Sequence, residues 1–203
     1  MSAFSIIHGM RNKNSLVKLK KLLKRPSFSC QEAQNCGVSR VTLARHVQSG
    51  EITRLSPGIY CKSNVDIGVD FEWEDMVRLV YQIEDGVICL ITALAIYDLT
   101  EEISREFWVA IPNDQRAPKI KKVRSIRMRN MDLGVVKKKF GTISLKIFDP
   151  ERTVVDTFRY LDKEIAIKAL RALSQKNMNI RKIKIYSDQL RINIDPYLLM
   201  VTT

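Results

Sequence analysis

Residues 29–62 read SCQEAQNCGVSRVTLARHVQSGEITRLSPGIYCK, and this stretch decides the fold. Ser29 and Glu32 have the S-x-x-E spacing of a capping box, which predicts the start of a short helix. Gly37, in Cys36-Gly37-Val38, supplies the backbone freedom of a tight turn. Ser39 then suits an N-cap, because its hydroxyl can accept from an N–H that the new helix leaves unpaired. At about 100° per residue, Leu43 and Val47 share an inward face, and Arg40, Val41, Thr42, Arg45 and Gln48 project mostly away from it. Gly50 closes the helix. Ile52 and Leu55 lead into Ser56-Pro57-Gly58, and Ile59 and Tyr60 lead out, as in a β-hairpin with Gly58 at its tip. Helix, turn, basic helix and hairpin make the outline of a winged helix-turn-helix, a unit that presents one helix to a DNA major groove.

Upstream, Leu16, Leu19, Leu22 and Leu23 form the apolar stripe of a preceding helix that Pro26 stops. The outward residues of the basic helix, Arg40, Thr42, Arg45 and Gln48, are the ones its periodicity leaves free to meet DNA. His46 reads as a packing or capping residue and not as a base reader. Val41 suits either a thymine methyl or plain exposure to water. Two alternatives stay open for the module itself: a purely structural unit, and a protein-binding winged helix whose basic helix docks an acidic partner.

The charge is distributed in blocks. The chain of 203 residues carries a formal net charge of +12, resolved as +9 over residues 1–65, −9 over 66–118 and +12 over 119–203. Two basic blocks flanking an acidic one fit a DNA-binding head, an acidic connection and a second basic surface better than a uniform coat for nonspecific binding. The candidate second surface comprises Lys119, Lys121, Lys122, Arg124, Arg127, Arg129, Lys137, Lys138 and Lys139. The longest apolar run, Gly86 to Tyr97, is too short to span a bilayer. The N-terminus lacks the apolar region of a secretion signal. Cys30, Cys36, Cys61 and Cys89 show no C-x-x-C spacing, and there are two histidines, so no zinc site is expected and the thiols read as reduced ones of a cytoplasmic protein.

Beyond Lys62, Ser63 to Asp70 is polar and reads as a linker. The expected division is residues 1–65, a winged helix-turn-helix, and 66–203, an α+β domain with a small sheet. Phe71–Ile83 has helical spacing, and Val87–Leu99 reads as a central helix. Strands are expected at Phe107–Ile111, Ile126–Met131 and Thr142–Phe148. Asp149-Pro150 opens a helix with an acidic N-cap and proline at its first position, burying Val154, Val155, Phe158 and Leu161. Helices over 163–175 and 180–190 and an apolar tail from Tyr197 to Val201 follow.

A search for chemistry finds no phosphate-binding G-x-x-x-x-G-K, no G-x-G-x-x-G and no G-x-S-x-G. Asp149, Glu151 and Asp156 beside the Thr142–Lys146 strand resemble the carboxylates of a metal-dependent nuclease. The helix cap already accounts for Asp149, and helix-surface pairing with Arg152 or Arg159 accounts for Asp156. No catalytic residue, metal ligand or cofactor is therefore assigned, and a metal-dependent nuclease with a winged DNA-positioning head is the alternative.

The segments G-V-S-R-x-T-L-A-R (37–45) and G-x-I-x-R-L-S-P-G-I-Y (50–60) resemble AbiEi-type antitoxins, regulators of type IV toxin–antitoxin systems. The resemblance continues through Gly86–Leu90, Thr92–Ala95, Val109–Pro112, Phe148–Asp156 and Phe158-Arg159-Tyr160, over nearly the whole chain. It implies a winged head that binds inverted repeats in double-stranded operator DNA and represses its own operon. It also implies a C-terminal domain that antagonises a nucleotidyltransferase-like toxin without requiring a stable complex. Binding to two half-sites implies cooperative self-association on DNA. By motif position the resemblance implies DNA contact at Ser39, Arg40, Thr42, Arg45 and the wing around Arg54 and Gly58, and it assigns no residue to toxin neutralisation.

Overall fold

The computed structural model describes residues 14–202. The N-terminal stretch read above for a secretion signal lies outside them. The fold is α+β, with two sheets and helices around them. Two compact units divide the chain. The first runs to Glu84 and includes Phe140–Ile143, and the second comprises Asp85–Lys139 and Ser144 onward.

In the first unit, residues 14–19 are helical (α1), and a short 3-10 turn covers Leu22–Lys24. The single helix expected up to Pro26 is thus interrupted. Lys20 N–H bonds back to the Val17 carbonyl, which tightens the chain after Leu19. Strand β1 (Phe28–Ser29) leads into α2 (Cys30–Asn35), then α3 (Arg40–Gln48), β2 (Ile52–Ser56) and β3 (Ile59–Lys62). The strands form an antiparallel sheet in the order β1-β3-β2. Leu19, Leu22, Phe28, Ala33, Val38, Leu43, Ile52 and Tyr60 make its core, with Val47 packed at the edge. After an irregular stretch over 63–70, α4 (Phe71–Val80) also belongs to this unit. Its buried Arg78 explains why: the guanidinium donates to the carbonyls of Pro26 and Val65 and to Glu74, all within the same unit.

The second unit holds a five-stranded sheet in the order β6-β5-β4-β8-β7. Its strands are β4 (Val87–Ile88), β5 (Phe107–Pro112), β6 (Val123–Met128), β7 (Val135–Phe140) and β8 (Ile143–Phe148). β4 is antiparallel to β5 and parallel to β8, and β5 is parallel to β6. The expected helix over 87–99 is corrected here. Val87 and Ile88 form the central strand, and helix α5 covers only Leu90–Ile96. A continuous apolar run carries no period, so it fits a buried strand as well as a buried helix. The expected strand at 126–131 lies earlier, at 123–128.

Helices α6 (Pro150–Tyr160), α7 (Lys163–Ser174), α8 (Ile180–Leu190) and α9 (Asp195–Thr202) complete the unit. Asp149 caps α6 as expected, accepting from Arg152 N–H. α6 is the central helix and packs against α5, α7 and α8. The Arg152–Asp156 pair, expected on a helix surface, lies inside: the side chains are 1% and 2% exposed, at 2.8 Å. Arg152 also donates to the carbonyls of Asn130 and Leu133 and stacks on the Phe148 ring. Burial pushes the Asp156 carboxyl upward, and Arg152 opposes that shift.

Gly134 sits against this arginine with φ +70°, and a Cβ there would lie 2.7 Å from Arg152 Cβ. Gly50 has a similar φ of +73° but open space around it. Gly134→Ala is therefore expected to cost about 2–4 kcal/mol, combining backbone strain with overpacking. Gly50→Ala should cost about 1–2 kcal/mol from the backbone alone. Urea denaturation midpoints of the two variants check the difference.

Candidate nucleic-acid interface

α3 begins where Ser39 accepts from Thr42 N–H, and the two hydroxyls lie 3.0 Å apart. Ser39 and Thr42 therefore shape the first turn of the helix as well as standing at its outer end. Leu43 and His46 are fully buried and fix the inward face. His46 Nδ1 lies 2.6 Å from Glu51 and Nε2 lies 2.7 Å from the Ser15 hydroxyl. Both ring nitrogens thus have a hydrogen-bond partner. Hydrogen bonds from His46 and then Ser49 hold the Glu51 carboxyl below its ordinary value. The reading of His46 as a structural residue agrees with this geometry.

The outward face carries Arg40, Val41, Arg45 and Gln48, all exposed, with Thr42 half-buried. Val41 is 62% exposed. Arg54 is exposed on β2, the strand against which α3 packs. Arg40, Arg45 and Arg54 have no ion pair or hydrogen bond to another side chain among the described residues. The acidic groups of this segment are engaged elsewhere. Glu32 pairs with Arg25 and closes the capping box at Ser29, and Glu51 holds His46 and Ser49. Among the described residues, neither carboxylate of the 29–62 segment pairs with the cationic face.

The hairpin turn at Pro57-Gly58 is tied down. Gly58 adopts φ +79°, and its carbonyl accepts from Cys30 N–H at 2.7 Å. The irregularity between Arg54 and Ser56 sets Leu55 out of register in β2. Two further residues belong to this surface. Ala44 lies exposed between Val41 and Gln48, and its small side chain leaves room for close approach. Its i+3 and i+4 spacing to those neighbours was the available signal. Lys18 reaches the inter-helix turn, with Nζ 3.6 Å from where a Gly37 Cβ would stand. Among the apolar leucines of α1 it has no distinguishing pattern.

Residues 17–61 match the family of AbiEi antitoxins, described as transcriptional regulators. The AbiEi match spans the helices and hairpin just described and ends within β3. No curated protein matches the chain.

The remaining cations come from both edges of the five-stranded sheet and from the segment before β6. Arg124 and Arg127 lie on β6 and Lys137, Lys138 and Lys139 on β7, which are opposite edges of the five-stranded sheet. Arg124 stacks over Trp108, and Lys138 stands over the Tyr97 ring. Lys119, Lys121 and Lys122 are exposed in the segment before β6. Arg127 and Arg129 meet at one cleft.

The three carboxylates weighed for catalysis are engaged by donors. Asp149 accepts from Arg152 N–H, Lys182 and Tyr186, Glu151 accepts from Asn179 N–H and Asp156 accepts from Arg152. No group of three His, Cys, Asp or Glu side chains among the described residues is placed to hold a metal ion. All four cysteines are free, Cys61 and Cys89 buried, Cys30 and Cys36 half-buried. No helix among the described residues is long and apolar enough to cross a membrane.

His46→Ala removes a buried ring that serves both Ser15 and Glu51, and a loss of about 1–3 kcal/mol in stability is expected. Arg45→Ala, on the exposed face, should stay within about 0.5 kcal/mol. Chemical denaturation of both variants checks this separation of inner and outer faces.

Proposed function

We propose that the protein is an antitoxin of a type IV toxin–antitoxin system that binds its own operator and represses its operon. In this reading the first unit is a winged helix-turn-helix. α3 enters the major groove of double-stranded DNA, and the β2–β3 hairpin acts as the wing. The observation that carries the reading is the set of unpaired arginines on the outward face of α3, within a segment that matches AbiEi regulators. Arg40 and Arg45 contact guanine edges or phosphates, and Arg54 holds the backbone beside the wing. Ser39, Thr42, Gln48 and Gly58 complete the contact surface. The second unit counteracts a nucleotidyltransferase-like toxin without a required stable complex, and copies associate cooperatively on paired half-sites. The protein works in the cytoplasm by binding and not by turnover.

Gel-shift titration on the DNA upstream of its operon tests the assignment. Arg45→Ala should weaken operator binding by about 1–3 kcal/mol, and removing a phosphate-contacting arginine should lower the slope of log K against log salt by about 1. Unchanged affinity would remove Arg45 from the interface. Footprinting on the same DNA should show protection of two related half-sites.

Incubation of the protein with plasmid and magnesium or manganese tests the absence of turnover. Intact plasmid is the expected result. Metal-dependent cutting that Asp149→Ala or Asp156→Ala abolishes would establish a nuclease instead.

A further inference from the structure

The second unit contains a cleft of about 520 Å³ whose charge is one-sided. Guanidiniums of Arg127, Arg129, Arg152, Arg159 and Arg191 line it, against a single carboxylate, Asp156. That carboxylate is held at 2.8 Å by Arg152, on the buried floor. Arg129 and Arg191 have no ion pair among the described residues, and Arg127 donates only to the Gln115 carbonyl.

The helix end at this cleft is also shielded. The C-terminal carbonyls of a helix carry partial negative charge and repel anions. Here Arg159, one side of the cleft, donates to the carbonyls of Leu190 and Arg191 at the end of α8. This bonding covers the helix terminus and fixes the Arg159 guanidinium in place. Arg152 and Arg159 are seven residues apart on α6, so one helix face presents both. Several planar forks around a half-open cleft suit phosphate oxygens, which accept two parallel N–H bonds from each. The volume is that of a small-molecule site and not of a groove for a duplex. The amides of Asn113, Asn130 and Gln189 and the ring of Tyr160 supply hydrogen bonds and a stacking surface beside the cations.

We propose that this arginine-lined cleft binds a nucleoside polyphosphate, with the phosphates against Arg127, Arg129, Arg159 and Arg191 and the base toward the amides and Tyr160. The site lies within the second unit and the proposal does not rest on operator binding.

Calorimetric titration of the full-length protein tests it, with ATP, inorganic tripolyphosphate and a single-stranded tetranucleotide as probes. ATP and tripolyphosphate should bind, ATP more tightly. Arg129→Gln/Arg191→Gln should weaken ATP at least about tenfold, since it removes two charge-assisted donors to the phosphates. Lys137→Gln/Lys139→Gln removes equal charge from the β7 edge and should change ATP affinity less than about twofold. These four residues are exposed, so the variants should fold. Tighter binding of the tetranucleotide than of ATP, lost in the arginine variant, would assign the phosphates to a nucleic-acid strand and overturn the free-nucleotide assignment. Absence of binding by all three probes would overturn the site itself. So would equal weakening by both double variants.

Discussion

A buried imidazole governs how α3 is presented. His46 lies on the inward side of that helix between Ser15 and Glu51, fully removed from water. An imidazole in such a place must have both nitrogens satisfied, because an unpaired buried polar group costs about 1–3 kcal/mol. α1 and the entry to β2 supply those partners, so the helix has one favourable rotation about its axis. With that rotation set, Arg40, Arg45 and Gln48 must face outward. Leu43 acts in the same sense through apolar contact, at no cost in hydrogen bonding.

The same network removes negative charge from the outward side. The first 65 residues carry two carboxylates, and each is engaged in shaping the chain: Glu32 at the start of α2, Glu51 beneath α3. A carboxylate free to approach Arg45 would neutralise the face and impose a desolvation cost on any anion that displaced it. The structural bonds of Glu32 and Glu51 therefore have an electrostatic consequence on the opposite side of the helix. Fold and charge pattern are coupled here through the small number of acidic groups available.

Local signals were legible in the sequence where a short-range interaction defines the geometry. Ser29 with Glu32, Ser39, and Asp149 followed by Pro150 each specify a helix start through a side chain that reaches a backbone N–H within three residues. The outward positions of α3 were legible for the same reason, from helical periodicity. The central strand β4 was not legible, because Val87 and Ile88 run into the apolar α5 without any change of character. β7 was hidden by Lys137-Lys138-Lys139, a run whose charge points to a basic surface and shows no strand alternation; edge strands carry lysine readily. The arginine cleft was hidden more deeply. Arg127, Arg129, Arg152, Arg159 and Arg191 come from three separate stretches of chain, and only the tertiary fold brings them to one cavity.

What an arginine does in this protein follows from the partners its fold provides. Arg78 is buried with two carbonyls and a carboxylate, and Arg152 with two carbonyls, a carboxylate and an aromatic ring. Both have enough acceptors to leave water, and both act as fasteners between segments distant in sequence. Arg159 has carbonyls but is exposed, so it covers a helix end while keeping a face open to solvent. Arg45 and Arg129 have neither carbonyl nor carboxylate partners among the described residues. A guanidinium cannot lose its proton to relieve that condition, so the charge persists at any physiological pH. Phosphate is the anion whose geometry matches several such forks at once, and it satisfies them without the protein having to bury a carboxylate of its own.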